Sequence, residues 1–279
     1  MKWLVLRAQE SARKIMLAKE LRYFLLALGF FTRIPTPHYD DFQEEELNHT
    51  AKYFPLIGVL VGLIGAISFV LAQWVFPQPI AVLVSMVTTI YLTGAFHEDG
   101  LADSADGIGG GWGREQILTI MQDSRLGTYG AVALLGILLI KFETLSYLPM
   151  IFVPLLLIAG HALSRLCAVW MMAMMTYAKP SGKAKPLATK ITMPHLLIAN
   201  LFGLLPWVGL LVLMLISHHP IQLMIKFVLM TLLPVFLVWV WWRAKLLKNI
   251  QGYTGDTLGA TQQITELAFY MGALAWSLQ

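Results

Sequence analysis

An all-α, polytopic membrane helical bundle is the fold class this sequence predicts, on three observations. Of 279 residues, 57% are hydrophobic and only 13% charged, about half the charged share of a soluble domain. The apolar residues fall into successive runs close to the length a bilayer requires, about 20 residues. Lys and Arg gather in alternate gaps between those runs, as the positive-inside rule expects of a multi-pass chain. The short gaps predict a single membrane domain over 1–279.

The elements follow in order. Residues 1–32 read as a long amphipathic helix whose apolar end, 24–31, is too short to span and is therefore interfacial or re-entrant. Its charged residues, Arg7, Glu10, Arg13, Lys14, Lys19 and Glu20, argue against a cleavable signal. Pro35 and Pro37 break the helix, and a polar segment completes an N-terminal region of 1–52. About seven spans follow, at 53–76, 80–96, 129–148, 150–176, 194–216, 221–242 and 261–278. Gly58, Gly62 and Gly65 on one face of the first suit close helix packing. Between spans lie a polar, Gly-rich acidic loop at 97–128, a basic loop at 177–193 and a second polar loop at 243–260.

Basic residues cluster in 2–22, in 179–190 (Lys179, Lys183, Lys185, Lys190) and in 243–248 (Arg243, Lys245, Lys248), while the turns near 77–79 and 217–220 carry none. An even number of spans separates each cluster from the next. All three then fall in the cytoplasm together with 97–128, in a protein of the cytoplasmic (inner) membrane whose active site faces the cytoplasm. The net charge of +4 follows from these loops, and no basic stripe with interleaved aromatics points to nucleic acid. The single Cys167 excludes an intrachain disulfide and a Cys-based zinc site.

Chemistry is concentrated in 97–107, His-Glu-Asp-Gly-Leu-Ala-Asp-Ser-Ala-Asp-Gly, directly after an apolar run. Asp99, Asp103 and Asp106 are spaced i, i+4, i+7, which on a helix places them within about 60° of one another. A solvated acidic face or a helix cap is one reading. The other is a Mg²⁺ site, since hard oxygen ligands and substrate phosphates are the usual shell of that ion. The position at a membrane edge and the absence of Lys or Arg before Arg114 favour the metal. Glu98 points off the stripe, and His97 reads as a boundary histidine. Gly107 opens a glycine run that serves either as a linker or as backbone approaching a phosphate.

Two further polar clusters open spans on the same face. In 122–130, Arg125 suits a bidentate phosphate contact, and Asp123 suits either the metal or the orientation of Arg125; the alternative is an ion pair between neighbours. In 252–260, Asp256 is a further candidate metal ligand, and the helix N-terminus offers free N–H groups to an anion. Gly127, Thr257 and Arg33 complete the candidate phosphate contacts. Elsewhere, Lys52, His161, Ser164 and Arg165 lie at or within spans. His161 and Arg165, one turn apart, look into one cavity or pair internally. Lys141 and Glu143 read as interfacial.

The stretches 96–107 and 121–130, with Gly255-Asp256-Thr257-Leu258-Gly259-Ala260, resemble the cobalamin synthase family in order and spacing, as do Phe31-Thr32-Arg33-Ile34-Pro35 and Phe54-Pro55-Leu56-Ile57-Gly58. Glu98 departs from the apolar residue expected there in many relatives. The resemblance covers nearly the whole chain. It implies a Mg²⁺-dependent membrane transferase that joins adenosylcobinamide-GDP to α-ribazole, or its 5′-phosphate, and releases GMP. Taken with the reading of the residues, it suggests catalytic roles for Asp99, Asp103, Asp123 and Arg125, with Asp99, Asp103, Asp106 and Asp256 around the metal and Asp123 or Glu98, outside the metal shell, as the acceptor of the hydroxyl proton. Its partners would be those two small molecules and the lipid bilayer; a homo-oligomer or an association with membrane-bound enzymes of the pathway stays open. Two other classes share features. A CDP-alcohol-type lipid phosphotransferase would use the same metal logic, but its motif carries Arg where Asp103 follows Ala102. An ion-coupled transporter would keep its acids near the bilayer midplane.

Overall fold

The computed structural model describes residues 2–178 and 191–279, with the side chains of 16–43, 45–178 and 191–279. In chain order the helices are α1 (Lys2–Phe31), α2 (Leu47–Thr50), α3 (Phe54–Gln73), α4 (Gln78–Thr93), α5 (Phe96–Gly110), α6 (Arg114–Ile120), α7 (Thr128–Tyr147), α8 (Val153–Met174), α9 (Met193–Ile216), α10 (Ile221–Ile250) and α11 (Gly255–Ser277). The only extended pairing among the described residues is a parallel bridge between Tyr177 and Tyr253. Proline marks the first turn of α3, α4, α8 and α9, where its missing N–H would be unpaired in any case.

Among the described residues, five helices are long and apolar enough to cross a bilayer: the stretch 47–73 that ends in α3, then α7, α8, α9 and α10. The pair α4 and α5 is bent by 85° and would make a sixth crossing if counted as one. The expected seventh span, α11, is long enough but too polar along its middle, where Gln262, Gln263 and Glu266 lie. It is instead the most enclosed element besides α8, and it packs against α5, α7, α8 and α10. The sort is physical: α8 is 83% buried along its apolar window, whereas α7, α9 and α10 are 22–28% buried and leave most of their apolar surface exposed.

Close approach of α3 to α8 uses the glycines read from the sequence. A Cβ on Gly62 would sit 2.7 Å from the Ile158 Cα, and one on Gly58 would strike the His161 carbonyl. Gly65 faces the other way, towards Thr89 of α4.

Three sequence expectations need correction. Residues 97–128 are largely helical rather than a loop, because α5 takes up the glycines through Gly110. The loop read over 243–260 shrinks to 251–254. Its Lys and Arg are good helix formers and carry α10 on to Ile250, and α11 begins at Gly255 rather than at 261. Lys141 is not interfacial but 6% exposed, drawn inward by a buried carboxylate, while Glu143 is exposed as expected. The basic cluster Lys179, Lys183, Lys185 and Lys190 lies outside the described residues, as do the side chains of Arg7, Arg13 and Lys14.

Candidate active site

The site begins at the break between α4 and α5. Gly94 and Ala95 both adopt left-handed backbone, φ 66° and 59°. This ends α4 and turns the chain almost at right angles, so that the acidic stripe starts within one turn of an apolar helix. Arg33 sits at this corner: its amide donates to Leu92 O at 2.8 Å, and its guanidinium lies over the Tyr91 ring at 5.1 Å. A Cβ on Gly94 would be 3.0 Å from Arg33 Nε. Arg33 remains exposed and available to an anion.

On α5 the stripe divides. Asp99 is exposed and Asp103 half-buried. The start of α11 packs on the same helix: a Cβ on Gly100 would lie 2.7 Å from Asp256 O, and one on Gly259 3.2 Å from His97 O. The backbone carrying Asp99 and Asp103 therefore meets the backbone carrying Asp256, from 153 or more residues further along the chain. Asp256 is half-buried, with Oδ2 accepting from Thr254 Oγ1 at 3.2 Å.

Asp106 does something different. Its Oδ2 accepts from the Gly127 amide at 2.7 Å and its Oδ1 from the Gly130 amide at 2.8 Å, so this carboxylate closes the start of α7. The cap foreseen for α5's own acids is thus supplied to the next spanning helix. The Gly127 amide, expected to meet a phosphate, is occupied by Asp106.

Thr257 and Gly107 are likewise structural in position. Thr257 is buried, and its hydroxyl accepts from the Thr254 amide at 2.8 Å in a capping box that opens α11. Gly107 packs on Met121 of the turn after α6, and a Cβ there would be 3.0 Å from Ile117 O.

Asp123 and Arg125 lie in the turn that Asp106 fastens. Arg125 Nε donates to Asp123 Oδ1 at 3.0 Å, and the pair is exposed. Hydrogen bonds from Arg125 hold the Asp123 carboxyl down to about 2. Asp123 therefore orients Arg125 and is a weak proton acceptor near neutral pH.

No group of three or more His, Cys, Asp or Glu among the described residues is close enough to enclose a metal by itself. The donor chemistry nonetheless fits Mg²⁺, which is commonly held by one or two carboxylates together with substrate phosphates. Open carboxylate on α5, carboxylate at the α11 start, and Arg33 and Arg125 on the flanks are the parts such a ternary site needs.

A second polar cluster lies inside the bundle, and sequence reasoning found only part of it. Glu266 is 1% exposed; it pairs with Lys141 Nζ at 2.9 Å and His161 Nδ1 at 2.9 Å. Gln262 also donates to it. Arg165 Nη1 donates to His161 O at 3.0 Å. These side chains border a cavity of about 20 Å³, room for about one water. His161 and Arg165, expected to share one cavity or pair internally, do both: they line the cavity, and Arg165 donates to His161 O. Glu266 was overlooked, although Gln262, Gln263 and Glu266 at helical spacing in an otherwise apolar run was the available signal.

Residues 23–274 match the family model described as cobalamin-5-phosphate synthase. A protein of Shewanella amazonensis named adenosylcobinamide-GDP ribazoletransferase is 45% identical over 267 residues, covering 93% of this chain and 97% of its own. Relatives of the same name in Shewanella piezotolerans and Leptospira biflexa are 44% and 37% identical, covering 95% and 97% of their lengths. No solved structure matches the chain.

Proposed function

On the premise that this chain belongs to the cobalamin-5-phosphate synthase family, and is a multi-pass membrane enzyme of cobalamin synthesis, we propose that it joins adenosylcobinamide-GDP to α-ribazole or its 5′-phosphate at the cytoplasmic face of the inner membrane. In this reading the ribose 3′-hydroxyl forms the new P–O bond to the phosphorus on the aminopropanol arm. The P–O bond to GMP breaks, and the hydroxyl proton passes to solvent at the open face of α5, since the exposed Asp99 there is assigned to the metal. Asp123 is ill suited to accept it, being held down to about 2 by Arg125, and Glu98 is turned into the bundle.

Asp99, Asp103 and Asp256 would hold Mg²⁺. When bound, the ion supplies neutralisation of the pyrophosphate and of the departing phosphate. Arg125 presents a planar fork to phosphoryl oxygens once substrate competes with Asp123 for it, and Arg33 offers a second cation from the α4–α5 corner. Asp106 contributes by fixing α7 and the turn that carries Arg125.

The observation that carries this reading is the contact of Gly100 with Asp256, which unites two acidic stretches remote in sequence. The deciding experiment measures GMP release by detergent-purified protein with and without a chelator, and for Asp99→Asn and Asp103→Asn. Loss on chelation with recovery on Mg²⁺, and loss of orders of magnitude in both variants, is expected. Turnover that survives exhaustive chelation overturns the metal assignment.

A further inference from the structure

Glu98 and Asp99 are neighbours on α5 that face opposite ways. Asp99 is exposed, whereas Glu98 is 8% exposed and turned into the bundle. There Glu98 Oε1 accepts from Gln263 Nε2 at 2.9 Å, and Gln263 Oε1 accepts from Lys141 Nζ at 2.8 Å. Lys141 in turn pairs with Glu266, which His161 of α8 grips from the other side. A continuous line of polar contacts thus runs from α5 through α11 to α7 and α8. It starts at the same place where the α5 and α11 backbones touch through Gly100 and Gly259.

Stability is a poor explanation for this line. Buried ionic groups seldom outperform apolar residues of equal volume, because desolvation offsets the attraction. Their particular contribution is directional. An apolar helix contact tolerates small rotations, whereas a hydrogen bond to a buried carboxylate weakens steeply once its angle is lost. Successive residues on a helix are about 100° apart, so a device that keeps Glu98 inward also keeps Asp99 outward. Gln263 is the link in that device, with its amide nitrogen on Glu98 and its amide oxygen on Lys141.

We propose that Gln263 is a positioning residue: it ties Glu98 to Lys141 and so fixes the rotation of α5 that presents Asp99 and Asp103 beside Asp256. The inference rests on the reading of that face as the metal-binding one. Glu98 is the side chain through which Gln263 acts.

The test uses full-length protein in detergent and Mn²⁺ as a spectroscopic stand-in for Mg²⁺, with binding followed by electron paramagnetic resonance. Gln263→Glu keeps the acceptor for Lys141 but sets a carboxylate against Glu98. Its Mn²⁺ dissociation constant and half-saturating Mg²⁺ are expected to rise about tenfold or more, the usual range for loss of an outer partner of a metal ligand. The double variant Glu98→Gln/Gln263→Glu restores the bond between 98 and 263 with donor and acceptor exchanged, keeps Lys141 donating to 263, and is expected to recover most of that loss. Melting temperature is recorded for each protein.

Three results overturn the proposal: Gln263→Glu with unchanged Mn²⁺ binding and turnover, Gln263→Glu with a lowered melting temperature alone, or a double variant no better than the single one. Should Gln263→Glu fail to accumulate, Gln263→Leu, which adds no charge, is read by the same binding and melting criteria. Asp99→Asn separates the two levels of inference. If it leaves Mn²⁺ binding intact, the metal reading fails, and the positioning role is then judged on the same loss and recovery in kcat. If it impairs binding while Gln263→Glu does not, only the positioning role fails.

Discussion

Asp106 reaches across from α5 to take the Gly127 amide at 2.7 Å, so one carboxylate of the acidic stripe is the cap of the following spanning helix. With Gly130 on its other oxygen, it satisfies two of the N–H groups that a helix start leaves unpaired. Glycine at 127 and 130 permits the approach, since a Cβ at either would overlap the carboxylate. Asp106→Ala should lower stability by about 1–2 kcal/mol, the upper part of the range for a lost cap, in a thermal or chemical melt of the detergent-solubilised protein. Gly130→Ala should do at least as much harm. A change in Mg²⁺ dependence with an unaltered melt would instead make Asp106 mainly a ligand.

Asp256 is the distant member of the proposed site and therefore its sharpest probe. Asp256→Asn keeps the size of the side chain and its contact with Thr254 while removing the charge. Turnover is expected to fall about 100-fold or more, near 2.7 kcal/mol of lost transition-state stabilisation, with the half-saturating Mg²⁺ displaced upward. A variant within a few-fold of the starting protein would remove Asp256 from the metal shell.

The exposed pair of Asp123 and Arg125 makes a pH prediction. A carboxyl lowered in the folded protein contributes above its unfolded value, and that contribution disappears as the pH falls through the folded value, here about 2. The pair is thus fully formed across the working range. Asp123→Asn should leave the pH at half-maximal kcat unmoved while raising KM, because Arg125 loses its guide. Arg125→Lys should lose about tenfold or more in kcat/KM, since an ammonium cannot reproduce a two-point fork. A shifted acidic limb in Asp123→Asn would show that Asp123 is the titrating base after all.

The Lys141–Glu266 pair should behave as a coupled unit. Glu266→Gln or Lys141→Met alone strands a charge among helices and should cost about 3–5 kcal/mol. The double variant should cost distinctly less than the sum, because Arg165 and Glu98 still balance. Melts of the four proteins in one detergent give the coupling directly; strict additivity would deny the contact.

Sidedness is open to labelling. Trp112 is 90% exposed in the short turn between α5 and α6, while Cys167 is 1% exposed and buried in α8. Trp112→Cys should react with a membrane-impermeant maleimide in inverted vesicles and not in intact cells, and the unsubstituted protein should not react in either. Labelling from the outer side would reverse the proposed orientation.

Much of this molecule was legible in its sequence, and the misses have physical reasons. The spacing of Asp99, Asp103 and Asp106 fixed a shared helical face, and His161 with Arg165 fixed a shared turn. Spacing does not reveal which residue faces a neighbour, so Asp106 looked like a sibling of Asp99 rather than the cap of α7. Hydropathy averages hid α11 in the same way. Its second half, 267–276, is apolar enough to suggest a span, and the polar residues before it become meaningful only once Lys141 arrives from α7. Thr257 was read as a phosphate contact for want of the backbone turn that uses its hydroxyl.

The left-handed corner at Gly94 and Ala95 leaves no slack between the apolar helix α4 and the helix that carries the acids. A loop of ten residues would absorb vertical movement of α4; two residues pass it on. Bilayer thickness is therefore expected to reach the acidic face. Reconstitution into shorter- or longer-chain phospholipids would raise or lower α4, and the acidic face would travel with it, so acyl-chain length should tune turnover even though neither proposed substrate is a lipid.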